Sequence, residues 1–160
     1  MLDLVRDRVR GVTGFYHKLV WHDVDIEDQT RAILHFRSGA VADITWSHIA
    51  AIGKPLWRIL GTKGAILDTG AGGNKGYQDE IAGLPGGTFH VVTIEEGQRK
   101  ESTVPYLDSD WLTFYADVAG HLLRGGPVPV TGEDGRRTIA VFEAAARSAR
   151  SGQTEPVDCE

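Results

Sequence analysis

The chain is poor in the residues that staple, anchor or metallate small proteins. Its 160 residues include one cysteine, Cys159, beside the C-terminus. That excludes an intrachain disulfide and suits a reducing cytoplasm. No apolar run approaches the roughly 18 residues of a membrane helix. The opening MLDLVRDRVRG lacks the apolar block and small-residue cleavage site of a secretory leader. His17, His22, His35, His48, His90 and His121 show no HxxxH or HExxH spacing, so no metal site is expected from them. A GxSxG elbow, a CxxC pair and a GxxxxGK[ST] loop are all missing. Cationic excess is missing too. Seventeen Lys and Arg against 22 Asp and Glu leave a net charge of −5, which argues against nucleic acid as a partner, because phosphate binding needs clustered cations. The short basic run Arg6, Arg8, Arg10 is interleaved with Asp7 and reads as a solvated face.

What remains is an ordinary globular composition, 41% hydrophobic and 24% charged. The length fits a single domain over 1–160, large enough to bury a core without disulfides. No internal repeat is visible. Leu2, Leu4, Val5 and Val9 follow a helical period and predict a helix over 2–9, stopped near Gly11. Val12 to Trp21, rich in β-branched and aromatic residues, predicts a strand. After the acidic segment His22–Asp28, Thr30, Ala32, Leu34 and Phe36 alternate with Gln29, Arg31, Ile33 and His35. A Ser38-Gly39 turn leads to a second alternating strand through Ala42, Ile44 and Trp46. Leu56–Leu60, Ala65–Asp68, Phe89–Glu95 and Gln98–Val104 predict four more strands joined by tight turns at Thr62-Lys63-Gly64 and Gly97.

Two helices close the chain. Ser109 is placed to cap one bearing Trp111, Phe114, Tyr115, Val118 and Leu122 on one stripe. The other has Thr131 as N-cap, Ile139, Phe142, Ala146 and Ala149 at helical spacing, and Gly152 as its left-handed stop. The expected fold is α+β: a predominantly antiparallel open β-sheet with helices packed on one face. The other face, bearing Arg31, Ile33, His35, Asp43, Thr45 and Ser47, is left free for a ligand or for oligomerisation.

Three segments invite functional readings. Gly70-Ala-Gly72-Gly73-Asn-Lys-Gly76 follows a strand with dinucleotide-like spacing. A pyrophosphate site requires such a loop to open a helix, and Tyr77–Gly87, with Pro85 and three glycines, has no helical period. A surface loop is expected there instead. The alternating acids Asp23, Asp25 and Glu27 lack the central glycine and distal glutamate of a calcium loop. His17 and His48, both placed on strands, are the histidines best situated to line a sheet-face pocket.

The order of several soft patterns then resembles one family. Leu2-Asp3-Leu4-Val5-Arg6 before Gly11, and Glu27-Asp28 leading into Ala32-Ile-Leu-His-Phe-Arg-Ser-Gly-Ala40, are two of them. Ile59-Leu-Gly61-Thr-Lys-Gly64 and, above all, Pro129–Val157 complete the set. Together they resemble the C-terminal domain of the glucose–fructose oxidoreductase / inositol dehydrogenase / MocA family. The resemblance implies an NAD(P)-dependent sugar or polyol oxidoreductase whose cofactor sits in a separate N-terminal Rossmann domain. This chain matches the half that binds substrate and oligomerises. In the family pattern Gly-x-His-x-x-Asp, Asp3 matches the aspartate, and the acid–base histidine would fall immediately before Met1. Gly53-Lys54-Pro55 is no substitute for the family's Glu-Lys-Pro.

No catalytic, cofactor-binding or metal-binding residue is therefore expected in this chain, which would be inactive alone, NAD or NADP belonging to the full-length relatives. The expected partners are a second copy, as a homodimer or tetramer through the open sheet face, and a separate Rossmann-domain subunit. A free-standing binding or scaffold protein, and unrelated chemistry in the sheet groove, stay open as alternatives. Trp21, His22, Asp25 and Tyr77 are the expected polyol contacts, because polyols are recognised by dense hydrogen bonding over an aromatic face.

Overall fold

The computed structural model describes residues 2–69, 87–107 and 111–158, with the backbone alone described at Trp111. The elements, in chain order, are α1 (Leu2–Val5), β1 (Val9–His17), β2 (Gln29–Phe36), β3 (Val41–Ser47), β4 (Arg58–Gly61), β5 (Gly64–Asp68), β6 (Thr88–Glu95), β7 (Gln98–Pro105), α2 (Trp111–Arg124), α3 (Gly132–Ser151) and β8 (Glu155–Pro156). They fall into two compact units, Met1–Ile49 with Asp117–Glu160, and Ala50–Ala116. The α+β class and the antiparallel pairing are as expected. The strands, however, divide between two four-stranded sheets, ordered β3-β2-β1-β8 and β4-β5-β6-β7, where the sequence suggested one.

In the first unit the alternation of β2 sets the layers. Val12 of β1 and Ala42 of β3 both face Leu34, and these three pack with Phe36 against Val141, Ala144 and Ala145 of α3. The opposite face pairs Arg31 with Thr45 and Ile33 with Asp43, so the mixed residues lie together as expected. Small residues let α3 come unusually close to β1. A Cβ on Gly14 would stand 2.1 Å from the carbonyl oxygen of Ala145. Gly14 N instead donates to Ser148 Oγ at 2.9 Å, and that hydroxyl donates to Gln153 O at 2.5 Å. The contact thereby satisfies polar groups that burial would otherwise orphan.

The ends of α3 follow the sequence. Thr131 Oγ1 accepts from Asp134 N at 3.1 Å, and Asp134 Oδ2 accepts from Thr131 N at 3.1 Å, a reciprocal capping box. Gly152, at φ 71°, terminates the helix in the left-handed region, its N–H on Ser148 O at 2.8 Å.

Two boundaries differ from the sequence expectation. The first helix ends at Val5 rather than Val9, with Arg6 at φ 50°, because Val9 pairs with Phe36 as the start of β1. A β-branched residue gains more from that ladder than from one further turn of an isolated helix. β1 ends at His17, not Trp21, because the amides of residues 19–21 turn onto a side chain instead of a neighbouring strand.

The second unit is a meander of β4 to β7. Its buried carboxylate, Asp68, accepts from Leu56 N at 3.1 Å and from the Tyr106 hydroxyl, and the Tyr106 ring lies 4.7 Å from Phe89. Ser109, Cys159 and most of the Gly-rich segment, including Tyr77, lie outside the described residues. No described helix is long and apolar enough to cross a membrane.

Candidate functional site

The site begins with one buried carboxylate. Asp28 has no solvent-exposed surface and opens the ladder into β2. Its Oδ2 accepts from Val20 N at 2.6 Å and Trp21 N at 2.9 Å, and its Oδ1 accepts from Leu19 N at 3.0 Å. Its main chain is used as well: Asp28 N donates to His17 O at 3.2 Å, and Asp28 O accepts from His48 N at 2.9 Å. Burial pushes the Asp28 carboxyl up. The amides of Trp21, Leu19 and Val20 outweigh it and hold the group down at about 2.

Two of the four residues tied to Asp28 by their amides, Trp21 and His48, meet through their rings. Trp21 stacks on His48 with centroids 4.8 Å apart and planes inclined by 28°. Trp46 lies edge-on to the same imidazole at 5.7 Å, and its Nε1–H donates to His48 Nε2 at 2.9 Å. His48 Nε2 is thereby an acceptor, which assigns the ring proton to Nδ1. Trp46 is 57% exposed and Trp21 38% exposed. The cluster thus presents two partly exposed indole surfaces around one imidazole, an arrangement that can offer an aromatic face to a ligand.

Of the four residues the sequence nominated, Trp21 is in this cluster. His22 and Asp25 are exposed on the same loop, and their side chains form no hydrogen bond with another described residue. Tyr77 lies outside the described residues. His17 lies on β1 as expected, at its last residue, whereas His48 stands one residue beyond β3 rather than on it. Trp46 and Asp28 were missed as site residues. The signal was present: Trp46 and His48 are spaced i, i+2 at a strand end and so share a face. A cleft of about 880 Å³ in the same unit, lined by Arg6, Arg37 and Arg137 with Asp3, Asp7 and Glu133, contains none of the nominated residues. Two of its three acids are already engaged. Asp7 accepts from Arg8 N and Ser38 N, each at 2.7 Å, and Glu133 pairs with Arg136.

Residues 6–158 match the model of an oxidoreductase family's C-terminal alpha/beta domain. The chain belongs to this family. A 64-residue stretch is 33% identical to scyllo-inositol 2-dehydrogenase (NADP(+)) IolW of Bacillus subtilis, covering 40% of this chain and 18% of that protein. The fold is similar to that of yvaA of Bacillus subtilis, with a TM-score of 0.80 at 20% identity, over 98% of this chain and 48% of that one. It is also similar to that of the aldose-aldose oxidoreductase of Caulobacter crescentus complexed with glycerol, with a TM-score of 0.67 at 20% identity, over 97% and 43% of the two chains. The chain spans less than half the length of these solved relatives.

The family implies a nicotinamide dinucleotide, and the described residues of this oxidoreductase domain do not fit one. Every described strand pairing is antiparallel, and among the described residues no glycine turn links a strand to a helix N-terminus facing open space for a pyrophosphate.

Proposed function

We propose that this chain is the substrate-side and oligomerisation half of an NAD(P)-dependent sugar or polyol oxidoreductase, and that Trp21, Trp46 and His48 seat the substrate ring. The observation that carries this is an exposed indole–imidazole–indole cluster held by a buried carboxylate, in a domain of an oxidoreductase family. The inositol substrate named for one relative and the glycerol held by another support a polyhydroxylated ligand. Cofactor and hydride chemistry belong to a dinucleotide-binding half outside this domain, joined to it or on a separate subunit. Alone, the chain is expected to turn over no polyol. The single cysteine suits a cytoplasmic setting.

The open face of the first sheet is the proposed surface for a second copy. Its Arg31–Asp43 pair, at 2.7 Å and half exposed, adds little stability by itself but sets a charge pattern that a two-fold mate can complement.

Calorimetric titration of the chain with NAD, NADH, NADP and NADPH tests the division of labour. No saturable binding is expected, and a micromolar dissociation constant would overturn it. A free-standing binding protein is the outcome if the chain binds polyols tightly without any dinucleotide-binding partner.

A further inference from the structure

Asp28 sits where three separate segments converge, and the contacts it makes are of a kind that fixes ring positions. Its carboxylate gathers the amides of Leu19, Val20 and Trp21 at 2.6–3.0 Å, which sets the backbone from which the Trp21 indole projects. Its carbonyl holds His48 N at 2.9 Å, which sets the backbone of the imidazole. Its own amide, on His17 O at 3.2 Å, ties both to the end of β1. The two rings are 27 residues apart in sequence, sit on segments that are not strands, and stack at 4.8 Å. Among the described residues, Asp28 is the one whose hydrogen bonds reach both backbones.

We infer that Asp28 is a positioning residue: it sets the Trp21–His48 stack by binding the backbone of both partners, and so sets the ligand-facing geometry without touching ligand. The inference deepens the polyol proposal and rests on it for what the platform receives.

Hydrogen bonds from backbone N–H to a buried carboxylate are short and directional, so they locate a loop better than apolar contact does. Asparagine in place of Asp28 keeps the shape and the main-chain bond to His48. It offers one acceptor oxygen and turns an NH₂ group toward amide donors. The loop bearing Trp21 should then detach while the anchor of His48 persists.

The test is NMR of the 160-residue chain and of Asp28→Asn, with Asp68→Asn as a control for loss of a buried carboxylate elsewhere. In the parent chain, stacking on Trp21 should shift the His48 ring protons strongly upfield. Asp28→Asn should abolish that shift while the methyl signals of Val12 and Leu34 stay in place. Asp68→Asn should leave the His48 shift unchanged. An unaltered His48 shift in Asp28→Asn overturns the inference, as does equal loss in the control. If Asp28→Asn does not fold, the parent chain decides: couplings across the hydrogen bonds from the Leu19, Val20 and Trp21 nitrogens to the Asp28 carboxyl carbon support it, and their absence overturns it. Titration with scyllo-inositol separates the two ideas. Loss of the stack in Asp28→Asn, with no inositol binding by the parent, upholds positioning and removes the polyol proposal. Equal inositol affinity in parent and variant removes positioning alone.

Discussion

At the scale of single residues, the account rests on polar groups that have been buried and then satisfied. Gly14 and Ser148 make one such unit. Gly14→Ala drives a methyl group into the Ala145 carbonyl and should destabilise the chain by about 2–3 kcal/mol, as overpacking does. Ser148→Ala strands Gly14 N and Gln153 O and should cost about 1–3 kcal/mol. Urea unfolding of both variants measures these losses. A loss below ~0.5 kcal/mol for Gly14→Ala would show that α3 stands further from β1 than described.

Asp28 adds a pH signature. Its carboxyl is held at about 2, below the ordinary value of 3.8, so the folded state binds its proton less tightly than the unfolded chain does. The stabilisation is therefore complete above about pH 4 and is lost as pH falls towards 2. Asp7, held down by Ser38, and Glu133, held down by Arg136, add to the same limb. Asp28→Asn should flatten the acid limb of a stability–pH curve while lowering its plateau. An unchanged acid limb would mean that Asp28 is not the group being titrated.

At the scale of elements, legibility followed locality. The N-cap at Thr131 and the stop at Gly152 are set by residues within one turn, and both were read from sequence. Thr131→Ala should cost about 1 kcal/mol in thermal or urea unfolding. β2 was legible because one face is buried and period two leaves little choice of register. The two misplaced boundaries depend on partners far along the chain. Val9 joins β1 through Phe36, and residues 19–21 leave it for Asp28. Likewise, the division of strands between two sheets is set by which edges pair, and alternation within a strand carries no record of that. The candidate site was half legible for the same reason. Trp21 and His48 each drew notice separately, whereas their stacking and the roles of Trp46 and Asp28 depend on contacts between segments far apart in the chain.

At the scale of the whole molecule, the family match spans residues 6–158 and so includes both compact units. The chain nevertheless covers under half of its solved relatives, and the proposal assigns the dinucleotide chemistry to a part outside it. Assembly through the open sheet face should give a dimer or tetramer mass in light scattering at high micromolar concentration. Asp43→Arg, which replaces the ion pair with Arg31 by two like charges on that face, should shift that mass towards the monomer.

The central claim, a polyol platform made of Trp21, Trp46 and His48, is most directly tested by following the indole N–H signals during titration with scyllo-inositol, glucose and xylose. If, as proposed, one wall of the pocket comes from another domain, affinity should be weak, with a dissociation constant on the order of millimolar or above. The Trp21 and Trp46 signals should move together with those of His48, saturably, and Trp21→Ala should abolish the response. Silent indoles at saturating polyol, or shifts confined to α3, would contradict the assignment.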